Sequence, residues 1–316
     1  MNKEIYLKHL ALRSIKSDIS IKSDISIKPS LDINLIKKNY SFLIPTYPPH
    51  YHHLYNLISK LNSNNIYIDI ILIFSNQSDY ENFRMKGNII PIILTSRPIN
   101  NRGTINFKKL MGLKKLVDST YDYIILCDSE IDIIIENFTD ENIITKIENI
   151  FKNKKIYAGE MSDNYLNTIN STSANFYKED DYNKLKLITK EFNLYSWYSN
   201  LPVYRRSDLE SFFKKIDYEN NINNITYEHF DYIIYEYYLI LVDRFEIINT
   251  TPITRMKWSL ENVQISDENT LNKLDEIEYG FSYLRKSLYD LNKRYFTEKK
   301  TFLIYHIDTD PPPMNN

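Results

Sequence analysis

Asp128-Ser129-Glu130 is the acid pair best placed to do chemistry in this sequence. In an extended chain, residues i and i+2 point to the same side. Two carboxylates so placed can hold a hard divalent cation, Mg²⁺ or Mn²⁺, which takes oxygen ligands and leaves positions open for phosphate oxygens. Spacing alone selects little, since chance gives roughly five such pairs in a chain of this acid content. Glu179/Asp181, Asp217/Glu219, Glu276/Glu278 and Asp308/Asp310 share the spacing. What sets Asp128 and Glu130 apart is position: they end the apolar run Tyr121–Cys127 (YDYIILC).

A second acid pair lies in Thr226-Tyr227-Glu228-His229-Phe230-Asp231. Glu228 and Asp231, at i and i+3, share one face of an expected helix over Thr226–Val242. A carboxylate there can take a proton from a hydroxyl, and Asp231 is preferred over Glu228. The plainer alternative is that both favour a helix N-terminus through its dipole. The histidines at 50, 52 and 53 follow Pro48-Pro49 and read as a polar helix start rather than a metal site. His306 ends the apolar run FLIYH, either as a plain strand-end residue or as a metal ligand. Cys127, inside its strand, is expected to be buried and inert.

Composition removes several classes. The chain has 316 residues, 39 Lys plus Arg against 41 Asp plus Glu, and a formal net charge of -2. It lacks the basic excess of a general nucleic-acid binder. One Cys cannot make a disulfide framework or a cysteine-rich zinc site. Five glycines, at 87, 103, 112, 159 and 280, spell neither GxGxxG nor a Walker A loop. Abundant Ile, Asn, Lys and Tyr, with Ala only at 11, 158 and 174, report AT-rich codons. The 27 Tyr are therefore not read as stacking platforms. No apolar run approaches the roughly 18 residues that span a bilayer. With no signal-peptide h-region and a lone thiol, the expected compartment is the cytoplasm.

The elements that must position these acids alternate. Strands are expected at Tyr40–Pro45, Ile68–Phe74, Ile89–Leu94 and Tyr121–Cys127, with Pro91 marking an edge or bulge. Helices are expected at His52–Leu61 and Thr104–Asp118, the latter with Phe107, Leu110, Leu113 and Val117 on one face and lysines on the other. Nearly continuous apolar strands between helices imply an α/β fold, a mostly parallel sheet covered on both faces, with ligands at the strands' carboxyl ends. Further on, helices are expected near Glu141–Phe151, at Leu185–Phe192, from a capping box Ser207-Asp208-Leu209-Glu210 to Ile216, and over Leu271–Arg294. Further strands are expected near Lys155–Ala158 and at Phe245–Asn249 and Phe302–His306. Residues 1–39 carry the repeat SIKSDI-SIKSDI-SIKPSL and read as a low-complexity extension. Residues 40–316 read as one domain.

On these residues the chain resembles the GT-A glycosyltransferases, and most of all the small ones of large DNA viruses and some bacteria. FLIPTY (Phe42–Tyr47), the turn SNQSD, and the helix NFKKLMGLKKL (Asn106–Leu116) before YDYIILCDSEID carry the resemblance. It covers residues 40–135 as a donor half, leaving 136–316 as the acceptor half. DSE stands where the family has DxD, keeping the second carboxylate on an arm one methylene longer. The resemblance implies a mixed, mostly parallel sheet and transfer of a sugar from a nucleotide-sugar, usually a UDP-sugar, to a glycan or glycoprotein. It implies that Pro45, Thr46, Tyr47 and Asn76 contact base and ribose. It places Arg97, Arg102 and Lys109 near the diphosphate, Asp128 and Ser129 on the donor, and Asp128, Glu130 and His306 on Mn²⁺ or Mg²⁺. Asp231 or Glu228 would take the acceptor proton, and Trp197, Tyr198 and Asn200 would meet the acceptor. If the protein is viral, its compartment is host cytoplasm or virion. Other readings are a sugar-phosphate nucleotidyltransferase, which usually carries a glycine-rich first loop where FLIPTYPPH stands here, and an inactive nucleotide-sugar-binding module. A haloacid-dehalogenase-type phosphatase puts its acid pair after the first strand, whereas DSE follows about the fourth.

Overall fold

The computed structural model describes residues 39–87, 89–94, 103–160, 164–192, 194–195, 203–249, 281–282, 297 and 302–305. Four strands come first: β1 (Tyr40–Pro45), β2 (Ile70–Phe74), β3 (Ile89–Ile93) and β4 (Tyr123–Leu126). Between them run α1 (Tyr51–Ser63), α2 (Gln77–Asn82) and α3 (Thr104–Lys115). After β4 come β5 (Ile131–Ile133), α4 (Asp140–Asn153), β6 (Lys155–Glu160), α5 (Asn164–Ala174), α6 (Glu179–Ile188) and β7 (Leu194–Tyr195). Then follow β8 (Val203–Arg205), α7 (Arg206–Lys215), the short α8 (Tyr218–Asn221), α9 (Asp231–Val242), β9 (Glu246–Asn249), β10 (Phe281–Ser282) and β11 (Leu303–Tyr305).

The central sheet runs β3-β2-β1-β4-β8. β1, β2, β3 and β4 are parallel, with Phe42 opposite Ile70 and Ser41 opposite Ile124. β8 closes the far edge antiparallel to β4, Tyr204 opposite Ile124. The expected mixed, mostly parallel α/β sheet is present, and Pro91 lies on its edge strand, where a missing N–H costs no ladder bond. The chain builds outward from β1 to β3, then returns to place β4 on the other side of β1. That reversal sets a topological switch point at the carboxyl ends of β1 and β4, where the crevice of an open α/β sheet is expected to bind ligands. Two three-stranded sheets accompany it, β7-β6-β9 and β10-β11-β5. One buried apolar cluster joins Tyr40 on β1 to Phe302 before β11.

Helix α3 lies close on the sheet because of one glycine. A Cβ at Gly112 would stand 2.3 Å from Ile73 Cδ1 and 3.2 Å from Leu43 Cδ1. Dense interiors leave no slack for such an atom. At the other end of α3, a Cβ on Gly103 would stand 2.8 Å from the carbonyl oxygen of Ile225. Asn106 donates its amide to the carbonyls of Tyr227 at 2.8 Å and Thr226 at 3.2 Å. So α3 is wedged between the sheet and the turn that leads into α9. This corrects the expected lysine face: Lys114 and Lys115 are exposed, but Lys108 and Lys109 are 4% and 7% exposed.

Other boundaries shift for local reasons. α9 begins at Asp231, and residues 226–230 form a turn in which the Thr226 N–H donates to His229 Nδ1 at 2.9 Å. Glu228 and Asp231 therefore do not share a helix face. α6 starts at Glu179, where Glu179, Asp180 and Asp181 suit a helix N-terminus, and it stops at Ile188. Lys190, Glu191 and Phe192, expected as helix, have positive φ. Ser207 makes no capping box: α7 starts at Arg206, and Asp208 turns instead to Arg205 and Tyr235. Within the expected helix at 271–294, Phe281–Ser282 pair with β11 as a strand instead. The other residues of that range, like residues 1–38, lie outside the described residues. No helix among the described residues is long and apolar enough to cross a membrane.

Candidate active site at the carboxyl ends of β1 and β4

Three elements meet at one buried ammonium. Lys109 on α3 places Nζ 2.8 Å from Asp128 Oδ1, just past β4, and 3.3 Å from Asp231 Oδ1, the first residue of α9. Burial alone would drive the Lys109 pKa down. The charges and hydrogen bonds of Asp128 and Asp231 outweigh it and hold the pKa above the ordinary lysine value. Asp231, only 2% exposed, has its other oxygen satisfied by Tyr204 of β8, whose hydroxyl donates to Oδ2 at 2.5 Å. Burial, and next the Asp231 charge, push the Tyr204 hydroxyl well above its usual pKa, so it stays a donor.

Beside this cluster sits a second. His50, closing the 3-10 turn Pro48–His50 before α1, brings Nδ1 to 3.0 Å from Ser129 Oγ and 3.1 Å from Glu130 Oε2. His50 is thus more than the polar helix start expected of it. The ring of Tyr47, 52% exposed, stands edge-on to His50 at 4.9 Å. Burial pushes the Cys127 thiol well up, so it is inert as expected.

Under β1 lies the third charged group. Thr46 ties β1 to β2 by donating its hydroxyl to the Ile73 carbonyl at 2.9 Å. Its own carbonyl accepts from Lys108 Nζ at 2.7 Å. Burial lowers the Lys108 pKa to about 8, against a weaker upward pull from Asp79. Asn76 caps α2, its side-chain oxygen accepting the Asp79 N–H at 2.9 Å.

The structure therefore gathers Thr46, Tyr47, Lys109, Asp128, Ser129, Glu130 and Asp231 around one crevice, with Pro45 ending β1 beneath it. Glu228 sits apart in the turn before α9, its Oε2 accepting the Thr226 hydroxyl at 2.7 Å. Arg97, Arg102, Trp197, Tyr198, Asn200 and His306 lie outside the described residues. Sequence reasoning missed Tyr204, Lys108 and the role of His50. No local signal singles out Tyr204, which lies on the short strand β8.

Asp128 and Glu130 lie in the short loop between β4 and β5, 17% and 10% exposed at the side chain, and offer hard oxygens that suit Mg²⁺ or Mn²⁺. Among the described residues no three His, Cys, Asp or Glu side chains gather around a common point. β11 runs antiparallel to β5 with Tyr305 opposite Ile131, so the chain leaves β11 at the end where Glu130 enters β5.

At the opposite end of β4 is another ionic cluster. Arg205, opposite Tyr123, grips Asp208 with Nε at 3.0 Å from both carboxylate oxygens. It also reaches Asp243 Oδ2 at 2.9 Å, while Lys154 reaches Asp243 Oδ1 at 2.7 Å. Tyr235, one turn beyond Asp231 on α9, donates to Asp208 Oδ2 at 2.7 Å. Burial pulls the Asp243 pKa upward, but hydrogen bonds from Lys154 and Arg205 win and lower it.

Comparison with protein-family models and with curated proteins returns no match. Residues 1–349 of S. aureus TarS form a solved structure similar to this chain at 13% identity. The alignment covers 83% of this chain and 87% of that one, with a TM-score of 0.26. A likeness so remote carries no argument about the reaction.

Proposed function

We propose that the protein is a metal-dependent glycosyltransferase, moving a sugar from a nucleotide-sugar, UDP-linked, to a hydroxyl of a glycan or glycoprotein. One observation carries the reading: Asp128 and Asp231, from the two halves of the chain, converge on the buried Lys109 at the crevice between β1 and β4. Such a site suits a reaction that needs one carboxylate for the donor and another for the acceptor.

In this reading Thr46 and Tyr47 line the nucleoside side, with the exposed Tyr47 ring as a flat wall. Asp128 and Glu130 would hold Mg²⁺ or Mn²⁺, with His306, the residue after Tyr305, as a third donor. When bound, the ion would neutralise charge on the leaving diphosphate. The acceptor oxygen forms a bond to the anomeric carbon. The bond from that carbon to the diphosphate oxygen breaks, its electron pair leaving with the nucleoside diphosphate. The hydroxyl proton passes to Asp231, whose burial keeps water from competing. Trp197, Tyr198 and Asn200 are proposed on the acceptor side, and Arg97 and Arg102 near the diphosphate.

The test is ligand-dependent stability and turnover. Mn²⁺ together with a UDP-sugar should raise Tm more than either alone, because ligands that bind only the folded state stabilise it, and should support donor hydrolysis. The absence of both synergy and hydrolysis across UDP-, GDP- and other nucleotide-sugars overturns the reading.

A further inference from the structure

Lys109 has two possible duties in such a site: to meet the diphosphate from outside, or to hold protein groups together from inside. Its ammonium is enclosed, with the side chain 9% exposed, and it is engaged by two carboxylates from different elements. Its helix is locked at both ends, by Gly112 against Leu43 and Ile73 and by Gly103 and Asn106 against the turn before α9. Swinging out to a phosphate would strand the buried Asp231 and the part-buried Asp128, a costly exchange. Asp231 is held just as closely from the other side. One of its oxygens faces Lys109, and the other accepts from Tyr204, so α3 and β8 together set its orientation.

We propose that Lys109 and Tyr204 are positioning residues for proton transfer, fixing Asp231 against the donor-side carboxylate Asp128 rather than binding the diphosphate. The inference rests on the glycosyltransferase reading and adds a division of labour to it. A proton acceptor works only when its lone pair meets the hydroxyl within hydrogen-bond reach. A carboxylate pinned at both oxygens cannot rotate out of line. Each oxygen still keeps a lone pair for the incoming hydroxyl. Because one ammonium touches both acids, a shift of the donor-side loop is felt at the acceptor side.

Two measurements test this. In sugar transfer, Tyr204→Phe, which removes only a hydroxyl, should lower kcat about 10- to 100-fold with donor KM within about twofold, the size expected of a misaligned group. Lys109→Met should lower kcat further, and Lys109→Arg should recover part of the loss. A rise in donor KM at unchanged kcat in the Lys109 variants would make Lys109 a diphosphate contact and overturn the proposal, as would equal behaviour of Met and Arg at position 109. The second measurement needs no turnover: Tm of Lys109→Met, Asp231→Asn and the double variant. Non-additive shifts, with the double variant more stable than the sum, support the bridge; additive shifts overturn it. If the wild type turns over no nucleotide-sugar while the shifts are non-additive, the glycosyltransferase reading falls and the bridge stands.

Discussion

Two ionic clusters sit at opposite ends of β4, one helical turn apart along α9. Around Arg205, two cations face two carboxylates in a pairwise chain: Lys154 to Asp243, Asp243 to Arg205, Arg205 to Asp208. Around Lys109, among the described residues, one ammonium is shared by two carboxylates. Each acid near Arg205 has its own partner, and losing one leaves a charge stranded. Near Lys109, loss of Asp128 would still leave Asp231 paired with the ammonium. The first arrangement is what a fold needs to close a seam. In the second, two carboxylates compete for one ammonium, an arrangement in which a ligand can replace one of them.

The sharpest way to break the comparison is to remove one acid from each cluster. Asp128→Ala should cut donor hydrolysis and transfer by at least about 1,000-fold, a loss in line with removal of a charge-stabilising group. Its Tm should move by no more than a few degrees, because Lys109 and Asp231 still balance. Retained turnover would take Asp128 out of the mechanism. Asp208→Ala should do the reverse: kcat per folded molecule unchanged, stability in urea reduced by about 3 kcal/mol, the scale of breaking a buried pair. Equal stability losses in the two variants would erase the distinction.

A smaller effect lies in pH. Asp243 has a lowered folded pKa, so its contribution is present above the unfolded value near pH 4 and is lost as pH falls through the lower folded value. Asp243→Asn should flatten the acid limb of a urea-midpoint profile. Lys108 has a folded pKa of about 8, below its unfolded value. Between about pH 8 and 10 the unfolded chain binds more protons, so stability should rise with pH there, and Lys108→Met should abolish the rise. An unchanged alkaline limb in that variant would remove Lys108 as its source.

Much of this was legible in the sequence because the strands are almost wholly apolar. Residues 40–45, 70–74, 89–93 and 123–126 emerge within the nearly continuous hydrophobic runs that predict them, and Asp128 lies two residues past the end of β4. Asp231 was preferred over Glu228, and the structure puts it at the crevice, though not by the helix-face argument. What escaped were contacts made between distant segments. Lys108 and Lys109 look like a solvated helix face, and only the carbonyl of Thr46 and the acids from β4 and α9 make their burial tolerable. Tyr204 was one tyrosine among 27 in an AT-biased chain, with nothing local to single it out. The capping box at Ser207 failed because α7 starts one residue earlier, at Arg206, so Ser207 lies inside the first turn rather than at the N-cap.

The pairing of β5 with β11 also sets a schedule. Ile133 lies opposite Leu303, roughly 170 residues further along the chain. At a ribosomal pace of about 5–20 residues per second, β5 waits on the order of 10–30 s for that partner to be synthesised. β1 to β4 have one another from the start, so the sheet can form while the chain is growing. The loop bearing Asp128, Ser129 and Glu130 gains the brace of β11 only after those roughly 170 further residues have been made. The nascent chain can thus build its parallel framework well before the loop between β4 and β5 is braced.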